Sequence, residues 1–438
     1  MSGPSPFTSC STAGADVDAE VEPSLAADPR DGRHLFGAWQ QDRLMGGSAR
    51  GNVVAVSRDG GATWQEAPLP GVTGCTGGGY TLASDPWVTV GPEGRGYVES
   101  LALVPGTPLR MAVLVSATGD GGKTWDPPST VQAATSPAAL LDKPVILADQ
   151  RRRGTLYAGW LELAVGRPEE PAPGRLMFAR STDGGRGWSP PSTLHGDGST
   201  ELMDIQLLEL PNGDLIALFL EGAPRLASPP GRPPVTAHVK FVRSTDGGRT
   251  WSAPVEAGTY PLTSASDPDT GRPLRASGIV MSSAAGRDGS LYVSWFVARP
   301  RGDSEVWLAR SPDGGRSWLP AQVVVREPVQ AFLSAVSVAA DGAVAVSWYD
   351  FRNHQPGGSQ LTTDLWLAVS RDRGTSWSTR HVAGPFDMRQ AVPAFQGRFV
   401  GDYYGLTALP GGFGLLYAMA RDQSRRGDTD IFFSSVPS

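Results

Sequence analysis

The sequence predicts an all-β protein, a β-propeller built from four-stranded antiparallel blades, on three observations. An eight-residue box of the form Ser/Thr-x-Asp-x-Gly-x-x-Trp occurs six times. Short apolar runs, separated by Gly, Pro, Asp and Asn, surround every copy of the box. The 438 residues include 55 Gly, 38 Pro and 13 Trp, a composition typical of many short strands joined by tight turns.

The six boxes mark a regular repeat. They occupy residues 57–64, 118–125, 181–188, 244–251, 311–318 and 370–377. Self-similarity at such a period indicates a repeat architecture. In each box we expect the Asp side chain to accept backbone N–H groups of its own turn, Gly to provide a positive φ, and Trp to pack on the sheet. These are structural tasks, so the boxes are not expected to be catalytic.

Each repeat contains the apolar runs of four strands. The first reads "EPSLAAD", "HLFGAWQQ" and "NVVAVS", then the box, then "TWQEAPL". After the sixth box the chain again shows three strand-like runs, but no further box. We therefore expect one domain, residues 1–438, with seven blades, in which segment 1–20 closes the last blade because an open ring would expose a sheet edge. A six-bladed ring with a C-terminal appendage is the alternative.

Charge and composition exclude several classes of partner. The net charge of −6 and the lack of a basic stripe argue against nucleic acid. No apolar run is long enough to span a membrane, and no leader is visible, so we expect either a cytoplasmic protein or an extracellular one whose leader was removed. Cys10 and Cys75 are either two free thiols or one disulfide. Closure by the N-terminal segment would bring them together, and we expect a bridge if the protein is exported.

Ionisable residues recur where the predicted innermost strands begin. Since strand direction alternates, these positions and the ends of the second strands share the face opposite the boxes. The innermost strands begin with Glu22, Asp85, Asp142 followed by Lys143, Asp204 and Asp402. The second strands end with Asp42 and Arg43, Glu99, Glu221, Asp350 and Arg352, and Arg421 and Asp422. Arg275 lies close to a further strand start, and Trp87, Tyr349 and Tyr403 add aromatic rings. The strands therefore predict one charged mouth of a central funnel.

This combination fits glycoside chemistry, which needs a proton donor, a second group at the anomeric centre and flat rings for stacking. Each residue also has an ordinary interpretation, as a turn cap or a solvated ion pair. We expect no required cofactor, although crowded carboxylates would suit Ca²⁺. The five histidines form no pair at zinc-binding spacing.

The repeated box resembles the Asp-box, or BNR, repeat of sialidases and related glycan-active propellers. The resemblance extends from about Glu22 to Val436 and includes "EPSLAADP", "GAWQQDR", "SDPWV", "LDKPVILAD", "WYDFR" and "GDYYGL". It implies a propeller with a glycan-active site in its funnel. Sialidases carry Arg-Ile-Pro at the entry to the first blade, whereas this chain has Glu22 before Pro23. The missing arginine argues against true sialidase activity.

The resemblance also suggests roles for individual residues. Sialidases use an Asp of an early blade as acid/base and a Tyr of a late blade as nucleophile. Asp42, Tyr403 and the neighbouring Asp402 are therefore the catalytic candidates, with Arg352 and Arg398 as candidates to hold an anionic group. The remaining candidates for substrate binding are Glu22, Arg43, Asp85, Trp87, Asp142, Lys143, Asp204, Arg275 and Asp350. We predict a glycoside hydrolase; the alternatives are a non-catalytic binding propeller, and a lyase, isomerase or biosynthetic tailoring enzyme that acts on a small molecule in the same funnel.

Overall fold

The computed structural model describes residues 1–10, 13–135, 139–164, 173–222, 235–277, 280–298, 302–395, 397–421 and 429–438. Asp422 lies outside these ranges. The described chain is all-β, as predicted, and its strands form antiparallel groups in chain order. Its helical elements are two 3₁₀ turns, Gly74–Thr76 and Met388–Gln390. No helix in the described residues is long and apolar enough to cross a membrane.

The first half of the chain forms four groups of four strands. Group 1 contains β1 (Ala15–Asp28), β2 (Asp31–Leu44), β3 (Ala49–Ser57) and β4 (Gln65–Pro68). Group 2 contains β5 (Leu82–Val90), β6 (Gly96–Val104), β7 (Arg110–Thr118) and β8 (Ser129–Thr135). Group 3 contains β9 (Leu140–Ala148), β10 (Leu156–Leu163), β11 (Pro173–Ser181) and the first half of β12 (Ser192–Glu209). Group 4 contains the second half of β12, β13 (Leu215–Glu221), β14 (Thr236–Ser244) and β15 (Val255–Pro261). β12 thus pairs with β11 in one group and with β13 in the next.

The second half adds three groups and two hairpins. Group 5 follows the hairpin of β16 (Ser264–Ser266) and β17 (Pro273–Ser277), and contains β18 (Ser282–Ala285), β19 (Leu291–Ala298), β20 (Ser304–Ser311) and β21 (Gln322–Glu327). Group 6 contains β22 (Ala331–Val338), β23 (Val344–Asp350), β24 (Thr362–Ser370) and β25 (Ser378–Asp387). The hairpin of β26 (Val392–Ala394) and β27 (Gly397–Phe399) precedes group 7, which contains β28 (Gly405–Leu409), β29 (Gly412–Ala420) and β30 (Thr429–Pro437).

Each box forms the turn between the third and fourth strands of a group, with Asp59 as an example. Its carboxylate accepts the Thr63 N–H at 2.9 Å and the Ser57 hydroxyl at 2.8 Å. Gly60 and Gly61 have φ values of 80° and 92°, which favour glycine. A Cβ at Gly61 would lie 1.9 Å from the Phe433 ring, so this turn requires glycine for space as well.

Box tryptophans pack against the preceding group. Trp251 of group 4 contacts Phe178 of β11 with ring centroids 5.2 Å apart, and Trp318 of group 5 contacts Phe241 of β14 at 5.5 Å. Trp64 of group 1 makes the equivalent contact with Phe433 of β30, at 5.2 Å. Groups 1 and 7 are therefore neighbours, joined by the same contact that joins consecutive groups.

The core lies between adjacent groups. Four tryptophans on second strands are fully buried there: Trp39, Trp160, Trp295 and Trp348. An aromatic side chain at this position removes a large apolar area from water, which stabilises the packing of one sheet on the next.

The N-terminal segment contacts the edge of group 7 without forming a full strand. The Ser2 N–H donates to the carbonyl of Ile431 at 3.1 Å, and the Ile431 N–H donates to the Ser2 hydroxyl at 2.9 Å. Residues from Ala15 onward belong to β1 and pair with β2 instead. Cys10 and Cys75 form a disulfide, with Cα atoms 5.8 Å apart, which decides between the two alternatives that the sequence left open. The bridge ties the N-terminal segment to the loop that follows group 1.

Candidate functional site

A backbone irregularity recurs in the innermost strands. Glu22, Asp85, Lys143 and Asp204 have φ values of 56°, 44°, 49° and 56°, a left-handed conformation that costs a non-glycine residue about 1–3 kcal/mol. The pairing of each innermost strand with its neighbour shifts register at this point. A bulge of this kind re-aims a side chain, so one ionisable side chain in each of groups 1 to 4 is turned in the same way. Group 6 has Leu333 in the same conformation, at φ 51°.

These bulges surround a cavity of ≈ 680 Å³. Its charged lining residues are Glu22, Asp85, Asp142, Lys143, Arg275 and Asp402. Six sequence candidates are therefore brought together, from groups 1, 2 and 3, hairpin β16–β17 and the segment before group 7. The boxes and the bulges lie at opposite ends of the strands. In group 1, Ser57 of the box pairs with Leu35 in the first half of β2, whereas Glu22 lies beside Gln40 in its second half.

Asp402 is the most strongly paired carboxylate of the cavity. Its Oδ2 accepts from the Lys143 ammonium at 2.7 Å and from the Arg275 guanidinium at 3.4 Å. Burial alone would raise the pKa of Asp402, but these cations outweigh burial and hold it well below its usual range. Burial would likewise lower the pKa of Lys143, but the charges of Asp402, Asp85 and Glu22 raise it. At neutral pH both groups are therefore ionised.

Glu22 has the opposite electrostatic environment. It is 1 % exposed, its Oε1 accepts the Asp402 N–H at 3.2 Å, and its Oε2 accepts from the Gln40 amide. Burial, reinforced by the charges of Asp85 and Asp402, raises the pKa of Glu22 to about 7. Burial also raises the pKa of Asp85, despite the nearby Lys143. A carboxyl group that is half protonated at neutral pH thus adjoins one that is ionised.

Two arginine side chains pack on one aromatic ring beside these carboxyl groups. Arg43 is 0 % exposed, donates to Gln40 and to the Gly47 carbonyl, and lies 4.9 Å from the centroid of the Phe399 ring. Arg275 lies 4.5 Å from the same centroid. Phe399, which sequence reasoning did not identify, therefore holds two guanidinium groups through cation–π contacts. Hairpin β26–β27 positions it.

Asp204 and Tyr403 flank the cavity. Asp204 accepts the Met281 N–H at 2.9 Å, and burial raises its pKa to about 7. The Tyr403 hydroxyl donates to the Pro86 carbonyl at 3.2 Å, and the ring contacts Trp87 with centroids 5.2 Å apart. Burial, with the charges of Glu22 and Asp85, raises the pKa of Tyr403 well above its usual value. The Tyr403 hydroxyl is therefore protonated at neutral pH, and its proton is used in the hydrogen bond to Pro86.

Asp42 does not line the cavity, so its predicted position at the charged mouth is wrong. It is 0 % exposed; its Oδ2 accepts from the Ser5 hydroxyl at 2.7 Å and forms an ion pair with Arg50 at 3.0 Å. Its Oδ1 accepts the Asp18 N–H at 3.0 Å. Asp42 has its own positive φ of 61°, which turns the side chain toward the N-terminal segment. The carboxylate therefore anchors that segment.

Further candidates also lie outside the described lining of the cavity: Arg43, Trp87, Asp204, Asp350, Arg352, Arg398 and Tyr403. The Arg352 guanidinium donates to Asp350, forms an ion pair with Glu327 at 2.8 Å, and stacks over Trp366 at 3.8 Å. Asp350 in turn accepts the Trp348 indole N–H at 2.9 Å. Arg398 donates to the Ala391 carbonyl at 2.8 Å. Contacts with Asp350, Glu327 and the Ala391 carbonyl thus occupy the guanidinium groups that the sequence suggested for an anionic substrate.

The described residues contain no group of three His, Cys, Asp or Glu side chains that could hold a metal ion. In the cavity, the space between carboxylates is occupied by Lys143 and Arg275, whose charges neutralise Asp402. Binding of Ca²⁺ stays a prediction from the sequence.

Comparison with known proteins supports the repeat and the fold. Residues 242–253 match the BNR/Asp-box repeat family. Among solved structures, a protein of unknown function from Dyadobacter fermentans DSM 18053 is similar, with a TM-score of 0.52 and 16% identity over 80% of this chain and 94% of that one. The Hadza microbial sialidase Hz136 has a TM-score of 0.50 and 18% identity over 92% of this chain and 73% of that one. The predicted resemblance to a sialidase-like Asp-box propeller is confirmed. At these identities the structural likeness concerns the fold. A search of curated proteins gives no significant match.

Proposed function

We propose that this propeller is a glycan-active enzyme, a glycoside hydrolase whose site is the 680 Å³ cavity. The observation that carries the proposal is the pair Glu22 and Asp402, two adjacent carboxyl groups with pKa values shifted in opposite directions. Such a pair provides one acid and one base at the same pH, which is what glycoside hydrolysis needs.

In the proposed mechanism, Glu22 is the proton donor and Asp402 the ionised partner. Glu22, with a pKa of about 7, is protonated often enough at neutral pH to protonate a leaving-group oxygen. The Asp402 carboxylate, fixed by Lys143 and Arg275, would stabilise positive charge at the anomeric carbon. Water would then form a C–O bond to that carbon and give its proton to Glu22, which restores the acid. This assignment replaces Asp42, whose carboxylate is held by Arg50 and Ser5.

A non-catalytic binding propeller is the second candidate, and the geometry of Tyr403 favours it. The sequence suggested Tyr403 as nucleophile, but its hydroxyl donates to Pro86 and its pKa is raised. A charged cavity without an activated nucleophile would bind a polar ligand and leave it unchanged.

We also infer that the seven groups of strands form one ring of seven blades. The inference is supported by the contact between Trp64 and Phe433, which places group 7 against group 1 as group 3 lies against group 4. In such a ring the boxes lie at the rim opposite the cavity, because box turns and bulges occupy opposite ends of the same strands.

The proposal is tested with a panel of 4-nitrophenyl glycosides, including arabinofuranosides and sialosides, followed over pH 4–9. For any glycoside that is cleaved, Glu22→Gln and Asp402→Asn should each lower kcat by about a hundredfold or more, since each removes an acid–base group. The wild-type rate should fall as the pH rises through about 7, when Glu22 loses its proton.

Glu20→Gln is the matched control. Glu20 lies on the same strand, is also buried, and has a pKa raised by burial to about 8, but it bonds to Ser2 and Gln41 rather than lining the cavity. Near wild-type rates in Glu22→Gln, or an equal loss in Glu20→Gln, would contradict the assignment. If the whole panel binds but is not cleaved, the binding propeller is the better description.

A further inference from the structure

The cavity has two halves of different chemistry. The charged half, described above, is formed by the bulges of the innermost strands. The other half is lined mainly by side chains that neither donate nor accept hydrogen bonds: Leu101, Leu103, Leu109, Met111, Leu140 and Leu141. They come from β6, the start of β7 with the turn before it, and the start of β9, so this apolar half, here called the side cleft, extends between groups 2 and 3.

The side cleft has a buried floor and accessible walls. Leu101, Met111 and Leu141 are 4 %, 7 % and 1 % exposed. Leu103 and Leu109 are only half-buried, as is Leu140. Leu103 and Met111 are direct cross-strand partners, so their side chains form one continuous surface. Half-buried leucines that cluster in a concavity are unusual on a protein surface and mark a place where an apolar group binds.

Two exposed apolar side chains extend this surface to the cavity rim. Met45, after β2, is 58 % exposed and Phe395, in hairpin β26–β27, is 55 % exposed, and both line the cavity. They are among the few large apolar side chains of the described chain that are exposed to this degree. Both face the cavity rather than a core.

The chemistry of these walls limits what they bind. A sugar ring is covered with hydroxyl groups that need hydrogen-bond partners, and burying one without a partner costs about 1–3 kcal/mol. Leucine and methionine offer no partners, and their flexible side chains suit an alkyl group better than a flat ring. Phe395 is the only aromatic residue among the described lining residues.

We infer that the ligand is amphipathic: its polar part occupies the charged half of the cavity, and an aliphatic part, such as the alkyl aglycone of a glycoside, occupies the side cleft. The inference rests on the proposed function in taking the charged half as the reacting end. It adds that the substrate is a conjugate of limited size rather than a run of successive sugars.

Methionine methyl groups give a direct readout of the side cleft. The chain has 8 Met, of which Met45, Met111 and Met203 line the cavity. The full-length protein, labelled with ¹³C at the methionine methyls, is titrated with n-butanol, n-hexanol and n-octanol, and signals are assigned with single Met→Leu variants. The signals of the three cavity methionines should shift and saturate, while that of Met388, which is 0 % exposed in the core, should not move.

The dissociation constant should fall about fourfold for each added methylene until the cleft is filled, the factor expected for burying a CH₂ group. Leu109→Gln and Leu140→Gln, at half-buried wall positions, should each weaken n-hexanol binding by about tenfold, since each replaces an apolar contact with a polar one. Leu319→Gln is the matched control, because Leu319 is 42 % exposed and lies outside the cavity lining. The position of the Met388 signal reports whether each variant is folded.

Absence of saturable shifts at the three methionines, equal shifts at every methionine, or an affinity that is independent of chain length would overturn the inference. So would wall variants that bind as tightly as the Leu319→Gln control. The result is separable from the proposed function: alkanol binding in a protein that cleaves no glycoside removes the hydrolase and keeps the side cleft. Glycoside cleavage by a protein whose alkanol affinity is independent of chain length keeps the hydrolase and removes the side cleft.

Discussion

Replacing Lys143 by methionine should destabilise the protein strongly, because Lys143 neutralises a buried carboxylate. Its ammonium lies 2.7 Å from Asp402 Oδ2, and the two side chains are 10 % and 5 % exposed. At an effective dielectric constant of about 20, charges at this distance attract by about 6 kcal/mol. Arg275, at 3.4 Å, stays in place and offsets part of the loss. We therefore expect Lys143→Met to lower the free energy of unfolding at pH 7 by about 3 kcal/mol, within the range for breaking a buried pair.

The measurement is urea denaturation at pH 7 of the wild type, Lys143→Met, Asp402→Asn and the double variant. The double variant should be more stable than Lys143→Met, since it carries no unpaired carboxylate, and the cycle should give a coupling energy of at least about 2 kcal/mol. Lys240→Met is the matched control: its pair with Glu221 is more exposed, at 22 % and 24 %, so the loss should be below about 1 kcal/mol. Additive effects at Lys143 and Asp402, within about 0.5 kcal/mol, would refute the reasoning.

Three other predictions concern stability. Removing the disulfide with Cys10→Ser and Cys75→Ser should cost about 4 kcal/mol, because the bridge spans a sequence separation of 65 residues, and an unchanged urea midpoint would contradict this. Glu20→Gln should increase the stability relative to the wild type more at pH 9 than at pH 5. The folded-state pKa of Glu20, about 8, is above its unfolded value, so the wild type loses stability as the pH rises from the unfolded pKa towards 8, and the variant lacks this loss. A parallel pH dependence of stability in the two proteins would disprove this prediction. Asp246→Ala should lower Tm at pH 7 but much less near pH 2. Hydrogen bonds from Thr250 hold the pKa of Asp246 at about 2, so the stability that the ionised carboxylate contributes is lost as the pH falls through that value. Equal losses of Tm at both pH values would count against this prediction.

Much of the fold could be predicted from the sequence because its signals are local. A box such as residues 244–251 contains its own hydrogen-bond partners: Asp246 is held by Thr250, four residues away. Strand runs between turns are equally local, and so is the recurrence of a carboxylate in the first run of a repeat. Glu22, Asp85 and Asp402 were therefore identified as residues of one mouth. The predicted strand starts were wrong, because Glu22 and Asp85 lie at bulges within β1 and β5.

The partners of those residues depended on tertiary structure. Lys143 and Asp402 are 259 positions apart, and only the packing of group 3 against the segment before group 7 brings them into contact. The local bulges also mattered: in group 3 the left-handed residue is Lys143 rather than the preceding Asp142, which puts a cation among the carboxylates. No spacing rule distinguishes the two residues, because a bulge changes the alternation of faces on which such rules depend.

Asp42 is a residue whose surroundings could not be predicted from the sequence. Its position at the end of β2, beside Arg43, suggested a catalytic group, but a left-handed φ turns its carboxylate to Ser5 and Arg50. The side cleft left no signal in the sequence, because most of its leucines look like ordinary core residues of β6 and β9 until the groups are packed. The sequence by itself determined the repeat, the strands and the carboxylates of the mouth. The tertiary structure decided which charges are neutralised and which apolar side chains stay accessible, since both depend on contacts between groups far apart in the chain.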